Sequence, residues 1–130
     1  MHILFVCTGN ICRSPTAERL ANALNAVDPI SDFRASSAGT RAMIGHSMHP
    51  ESALVLQGLG GDPGGFVARQ LNPKIAADAD LVLALTREHR DAVLEMAPRQ
   101  LHRTFTLTEA ARLIGEFEPD AVRDLATLRP

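Results

Sequence analysis

The feature that most constrains this chain is its opening. A continuous apolar run, Ile3-Leu4-Phe5-Val6, ends on Cys7, passes through a turn-like Thr8-Gly9-Asn10, and gives way from Pro15 to Ala17, Leu20, Ala21 and Leu24 at helical spacing. An unbroken run of strand formers predicts a strand covered on both faces. The spacing that follows predicts a helix, with Pro15 suited to its first position behind a Ser14 cap.

The alternation recurs downstream. Phe33 to Ser37 predicts a short strand released at Gly39, and Pro50 opens a helix carrying Ala53, Leu54, Leu56 and Leu59. The cluster Gly60-Gly61-Asp62-Pro63-Gly64-Gly65 predicts a flexible loop. Leu81-Val82-Leu83-Ala84-Leu85 is a second buried strand, followed by a charged helix through Met96 that Pro98 ends. His102 to Phe105 predicts a last strand. Thr106 with Glu109 forms a capping-box signature for a helix to Gly115, and Pro119 to Leu128 predicts a final helix. Strands alternating with helices through short connections predict an α/β fold, a small parallel sheet with helices on both faces, in one domain over residues 1–130 without linker or repeat. Cys7 to Ser14 then lies at the carboxyl end of the first strand, the edge where such sheets bind ligands.

Composition narrows the partners. Thirteen Lys and Arg against fifteen Asp and Glu leave a net charge of −2 over 130 residues. There is no global basic field to gather nucleic acid or anionic lipid, so an anion must be captured locally. No apolar run approaches the about 20 residues a bilayer span requires, and the N-terminus shows no secretory leader pattern. The expectation is a cytoplasmic protein with neither membrane nor nucleic-acid partner.

The chemistry concentrates in Cys7-Thr8-Gly9-Asn10-Ile11-Cys12-Arg13-Ser14. If the backbone N–H groups of Thr8 to Arg13 converge, they form an anion nest at the positive end of the first helix, shaped for a phosphate-like anion. Cys7 would lie at its floor, where the same field favours the nucleophilic thiolate. Arg13 can hold two oxygens with paired hydrogen bonds. Gly9 allows close backbone approach, and Asn10 tolerates the left-handed conformation. Ser14 has two possible tasks: capping the helix, or donating to the Cys7 sulfur. Cys12, five positions from Cys7, could form a reversible disulfide with it or simply pack under the loop. His46 and His49 have helical spacing for metal ligation but no further ligands join them, so no metal is expected. His89 and His102 read as helix or strand surface, and Arg87, Arg90 and Arg99 as a solvated rim.

These residues match a family. Val6-Cys7-Thr8-Gly9-Asn10-Ile11-Cys12-Arg13-Ser14-Pro15 with Ala17-Glu18 resembles the signature of low-molecular-weight protein tyrosine phosphatases. Ser37-Ala38-Gly39-Thr40, Asp80-Leu81-Val82-Leu83 and Thr86-Arg87-Glu88-His89-Arg90 resemble its second and third strand regions. The resemblance implies a four-stranded parallel sheet and cofactor-free, metal-independent hydrolysis through a phosphocysteine, with Cys7 as nucleophile and Arg13 as phosphate clamp. It also implies that Asn10 and Ser37 bond to each other to brace the loop. Its partners would be a phosphorylated protein or a small aryl phosphate.

The sequence also departs from that pattern. The family's general acid is an Asp in an Asp-Pro pair near the C-terminus, followed by aromatics and a last helix. Here Asp28-Pro29 and Asp62-Pro63 fall in the wrong part of the chain, which is expected to stop before that loop; the terminal region offers Glu118-Pro119-Asp120 and Asp124, of which Asp120 is the one candidate acid, with an acidic first-turn helix residue as its other reading. Five Phe and no Tyr or Trp leave little for an aromatic slot, and Met43 and His46 stand beside the expected pocket instead. Ile11 resembles the tyrosine-directed branch more than the phosphoarginine-directed one, which carries Thr there. Two rival functions are arsenate reduction with an external thiol and a non-catalytic oxyanion-binding module.

Overall fold

The computed structural model describes residues 1–117. In it β1 (His2–Cys7), β2 (Arg34–Gly39), β3 (Leu81–Ala84) and β4 (Thr104–Thr106) form a four-stranded sheet in the order β2-β1-β3-β4. All three pairings are parallel. Among the described residues five helices accompany the strands: α1 (Arg13–Val27), α2 (Pro50–Gly58), α3 (Pro73–Asp78), α4 (Arg87–Met96) and α5 (Leu107–Phe117).

Alternation along the central strands explains why both sheet faces are covered. Leu4, Val6 and Val82 point to one face and pack with Ala76 of α3 and Val93 of α4. Phe5 and Leu83 point to the other, against Ala17 and Ala21 of α1 and Ala110 of α5. Two-sided burial is what an uninterrupted apolar strand requires. A third cluster, Met48, Leu56, Phe66 and Ala68, carries Ile11 against its edge and seats one side of the Cys7–Ser14 loop.

Several boundaries differ from the sequence reading. α1 begins at Arg13 with Cys12 as its cap residue, so Ser14 is not the cap; its hydroxyl is engaged elsewhere. α3 was not expected, although Asn72 before Pro73 is a start signal and the Asn72 side chain accepts the Ile75 N–H at 2.8 Å. Pro98 does not simply end α4: it starts a 3₁₀ turn over Pro98–Arg103 that leads into β4. The capping box at α5 forms in both directions, Glu109 N–H to Thr106 Oγ1 at 3.1 Å and Thr106 N–H to Glu109 Oε1 at 3.2 Å. The expected helix over Pro119 to Leu128 and the candidate acid Asp120 lie outside the described residues. Among the described residues no helix is long and apolar enough to cross a membrane.

Candidate active site

β1 lies in the middle of the sheet, with the chain leaving it first toward β2 and later toward β3. The crevice at its carboxyl end is therefore a topological switch point, and Cys7 to Ser14 fills it. The loop carbonyls turn outward and are tied down. Thr40 N–H bonds to the Cys7 carbonyl (2.9 Å), Arg41 N–H to that of Thr8 (2.9 Å), Met43 N–H to that of Gly9 (3.0 Å) and His49 N–H to that of Ile11 (2.8 Å). The amides are not engaged in this way: among the described residues no acceptor takes the N–H groups of Thr8 through Ser14. A loop with most of its carbonyls engaged and its donors free, opening onto a helix N-terminus, forms a cradle of the kind that can take an oxyanion.

Cys7 is buried, and its Sγ lies 2.8 Å from the Ser14 hydroxyl. Asn10, fully buried at φ 56°, sets the polarity of that contact. Its amide donates one hydrogen to Ser14 Oγ and one to Ser37 Oγ, both at 2.9 Å, while its Oδ1 accepts the Arg69 N–H at 2.9 Å. Ser37 passes its own hydrogen to Glu18 at 2.8 Å. Ser14, already accepting from Asn10, is left with its hydroxyl hydrogen for the Cys7 sulfur, the donor an anionic sulfur needs.

Arg13 is exposed at the start of α1, and Cys12 is half-buried, both cysteines being free thiols. A groove of about 490 Å³ opens beside them, lined also by Glu51 and Val55 of α2 and by Leu85 and Leu107. Met43 lies over the cradle next to Ile11: a Cβ built on Gly9 would meet Ile11 Cγ1 at 3.6 Å and Met43 Cγ at 4.0 Å.

Other residues singled out from the sequence lie apart from this centre. His46 is exposed, and His49 caps α2 by accepting the Glu51 N–H at 3.2 Å. Among the described residues no group of three or more His, Cys, Asp or Glu could hold a metal. Arg90 is not a solvated rim residue, since it bonds Glu109 at 3.0 Å across the α4–α5 junction. His89 is not surface either. It is 6% exposed, with Nε2 2.8 Å from the Thr8 hydroxyl, and burial holds it below the ordinary histidine range, with Arg13 adding to that and Glu88 opposing. Arg69 was missed and His89 misread as surface because they reach the loop from 59 and 81 positions away, without a local signal.

The model of the low molecular weight phosphotyrosine protein phosphatase family matches residues 2–118. The chain belongs to that family. Its fold is shared with a low molecular weight protein tyrosine phosphatase from T. tengcongensis, at TM-score 0.79 and 37% identity over 85% of this chain and 76% of that one. A YwlE arginine phosphatase, a mutant with a phosphorylated active-site serine, superposes at TM-score 0.78 and 32% identity, covering 85% of this chain and 72% of that one. The probable low molecular weight protein-tyrosine-phosphatase AmsI of Erwinia amylovora is 38% identical over 96 residues, 74% of this chain. The aligned part spans only 63% of AmsI's own length.

Proposed function

We propose that this low-molecular-weight phosphatase relative hydrolyses phosphomonoesters through a phosphocysteine. The Cys7 thiolate attacks phosphorus in line, forming the S–P bond as the bond to the leaving-group oxygen breaks. The amides of Thr8 to Arg13 and the Arg13 guanidinium hold the three equatorial oxygens as charge redistributes. Water then attacks the phosphocysteine. Orthophosphate leaves, and the returning sulfur anion is stabilised by the Ser14 hydroxyl. No step requires a metal or organic cofactor, because positioning and charge stabilisation come from the loop itself.

The observation that carries this reading is the pairing of the Cys7–Ser14 contact at 2.8 Å with backbone N–H groups from Thr8 to Ser14 that no acceptor among the described residues takes. Two free cysteines in one loop suit a cytoplasmic setting, where thiols stay reduced. The substrate class we favour is an aryl phosphate, phosphotyrosine on a protein being the natural case, with Ile11 and Met43 as the apolar wall for the ring. The name of the YwlE neighbour makes phosphoarginine the comparison substrate. Arsenate would fit the same cradle, but the thioredoxin-coupled reduction needs cysteines beyond the two present, leaving only an external-thiol route.

Asp120 is the proposed proton donor for the leaving group. Kinetics with p-nitrophenyl phosphate on the parent chain, Cys7→Ser and Asp120→Asn test the reading. Cys7→Ser should abolish turnover. Asp120→Asn should lower kcat for an alkyl phosphate by about 10²-fold while sparing p-nitrophenyl phosphate, whose leaving group needs little protonation. Turnover retained by Cys7→Ser contradicts the mechanism, and equal loss on both substrates contradicts the role of Asp120. Phosphate binding without hydrolysis or phosphocysteine would favour the binding-module alternative.

A further inference from the structure

The Asn10, Ser37 and Arg69 contacts tie the cradle to β2. Its first residue, Thr8, faces the opposite neighbour, the turn between β3 and α4. There the Thr8 hydroxyl meets His89 Nε2 at 2.8 Å, and His89 Nδ1 meets the Thr86 hydroxyl at 2.9 Å. His89 is buried although Arg87 and Glu88 beside it are exposed. A buried imidazole engaged at both nitrogens has its ring orientation fixed.

Counting hydrogens selects the tautomer. Thr86 caps α4 by accepting the His89 backbone N–H at 3.3 Å. Its single hydroxyl hydrogen is then available to Nδ1, which puts the imidazole proton on Nε2, aimed at Thr8 Oγ1. The other tautomer would have Thr86 accept twice and leave its own hydrogen unused.

We propose that His89 is a positioning residue for phosphoryl transfer: as the Nε2–H tautomer it fixes Thr8, and with it the first amide of the oxyanion cradle, against the β3–α4 turn. This rests on the phosphatase reading and deepens it. The Thr8 carbonyl is already held by the Arg41 N–H at 2.9 Å, so the His89 bond secures the residue on its second side. A cradle stabilises a transition state only to the extent that its donors are aimed before the reaction begins. Being neutral, the ring braces Thr8 without repelling the Arg13 guanidinium.

The test uses the full chain with Thr8→Val, His89→Leu, both together, and His89→Gln. It reads kcat/KM on p-nitrophenyl phosphate, affinity for inorganic phosphate by calorimetry, and the thermal midpoint. Thr8→Val and His89→Leu should each lower kcat/KM and phosphate affinity about tenfold. The double variant should lose no more than the worse single, because both remove one hydrogen bond, and His89→Gln, whose amide can still donate to Thr8, should recover most of the loss. Nitrogen NMR of the parent should find the proton on Nε2. Thr8→Val is exposed and decides the matter even if His89→Leu fails to fold. Parental phosphate affinity in Thr8→Val, multiplicative losses in the double variant, a Gln variant no better than Leu, or a proton on Nδ1 overturns the proposal. A thermal midpoint that drops with both other readouts unchanged also overturns it, as that is what a purely structural histidine would give. A parent that binds phosphate without hydrolysing it defeats the phosphatase reading alone, and the binding measurements still decide on His89. A parent that does neither defeats both.

Discussion

Gly39 ends β2 where the cradle backbone passes over it. A Cβ there would run into the Thr8 carbonyl oxygen and come within 3.1 Å of Ala42 Cα and of Asn10 Cβ. Two of these three neighbours are backbone atoms in bonded loops, so little can yield. Gly39→Ala should cost about 1–3 kcal/mol in chemical denaturation and lower kcat/KM on an aryl phosphate; parental values in both would contradict this. Asn10→Ala removes three hydrogen bonds from a buried residue at positive φ. The same denaturation should show a loss of about 2–4 kcal/mol. Asn10 was legible in the sequence because a left-handed turn within an anion nest restricts the residue type. Ser14 was legible only as a choice between two tasks, since which one its hydroxyl performs depends on where Asn10 points. Arg69 left no mark and His89 reads as surface, because tertiary packing alone brings them to the loop.

Elements with long periodic patterns or two-ended signals could be read directly. The Thr106 and Glu109 pair announces α5, and its reciprocal bonds form as the spacing demands. Thr106→Ala should lower stability by about 1 kcal/mol, measured by urea denaturation, and no change would mean that packing alone holds the start of α5. The six residues of α3 are too few to show a helical period, and only the Asn72-Pro73 pair could have revealed them. Arg90 looked solvated because its charge is visible in sequence, whereas the approach of α5 that supplies Glu109 is not.

At the scale of the molecule, the parallel sheet and its two covered faces follow from the apolar runs at residues 3–6 and 81–85, which need burial on both sides. The strand order that puts Cys7 at a switch point is a global property that no local pattern encodes. Ionisation also acts at this scale. Burial holds His2 and His89 below the ordinary histidine value of 6.5, with Arg34 adding to it at His2 and Arg13 at His89. Unfolded chains then bind more protons than folded ones in mildly acidic solution. The stability these neutral rings confer is complete above pH 6.5 and is lost as pH falls from there through their folded values. Thermal midpoints measured across that range should fall on acidification, and His89→Gln should flatten part of the slope. An unchanged slope in the variant would show that His89 does not contribute to it.

In the proposed mechanism one sulfur, that of Cys7, takes the phosphoryl group from the substrate. The most direct measurement of that step is rapid-quench mass spectrometry of the parent chain mixed with p-nitrophenyl phosphate. One phosphoryl group is expected on the peptide bearing Cys7, formed in step with a burst of nitrophenol and lost as orthophosphate appears. Steady hydrolysis with no phosphoryl group on that peptide at any time would contradict it.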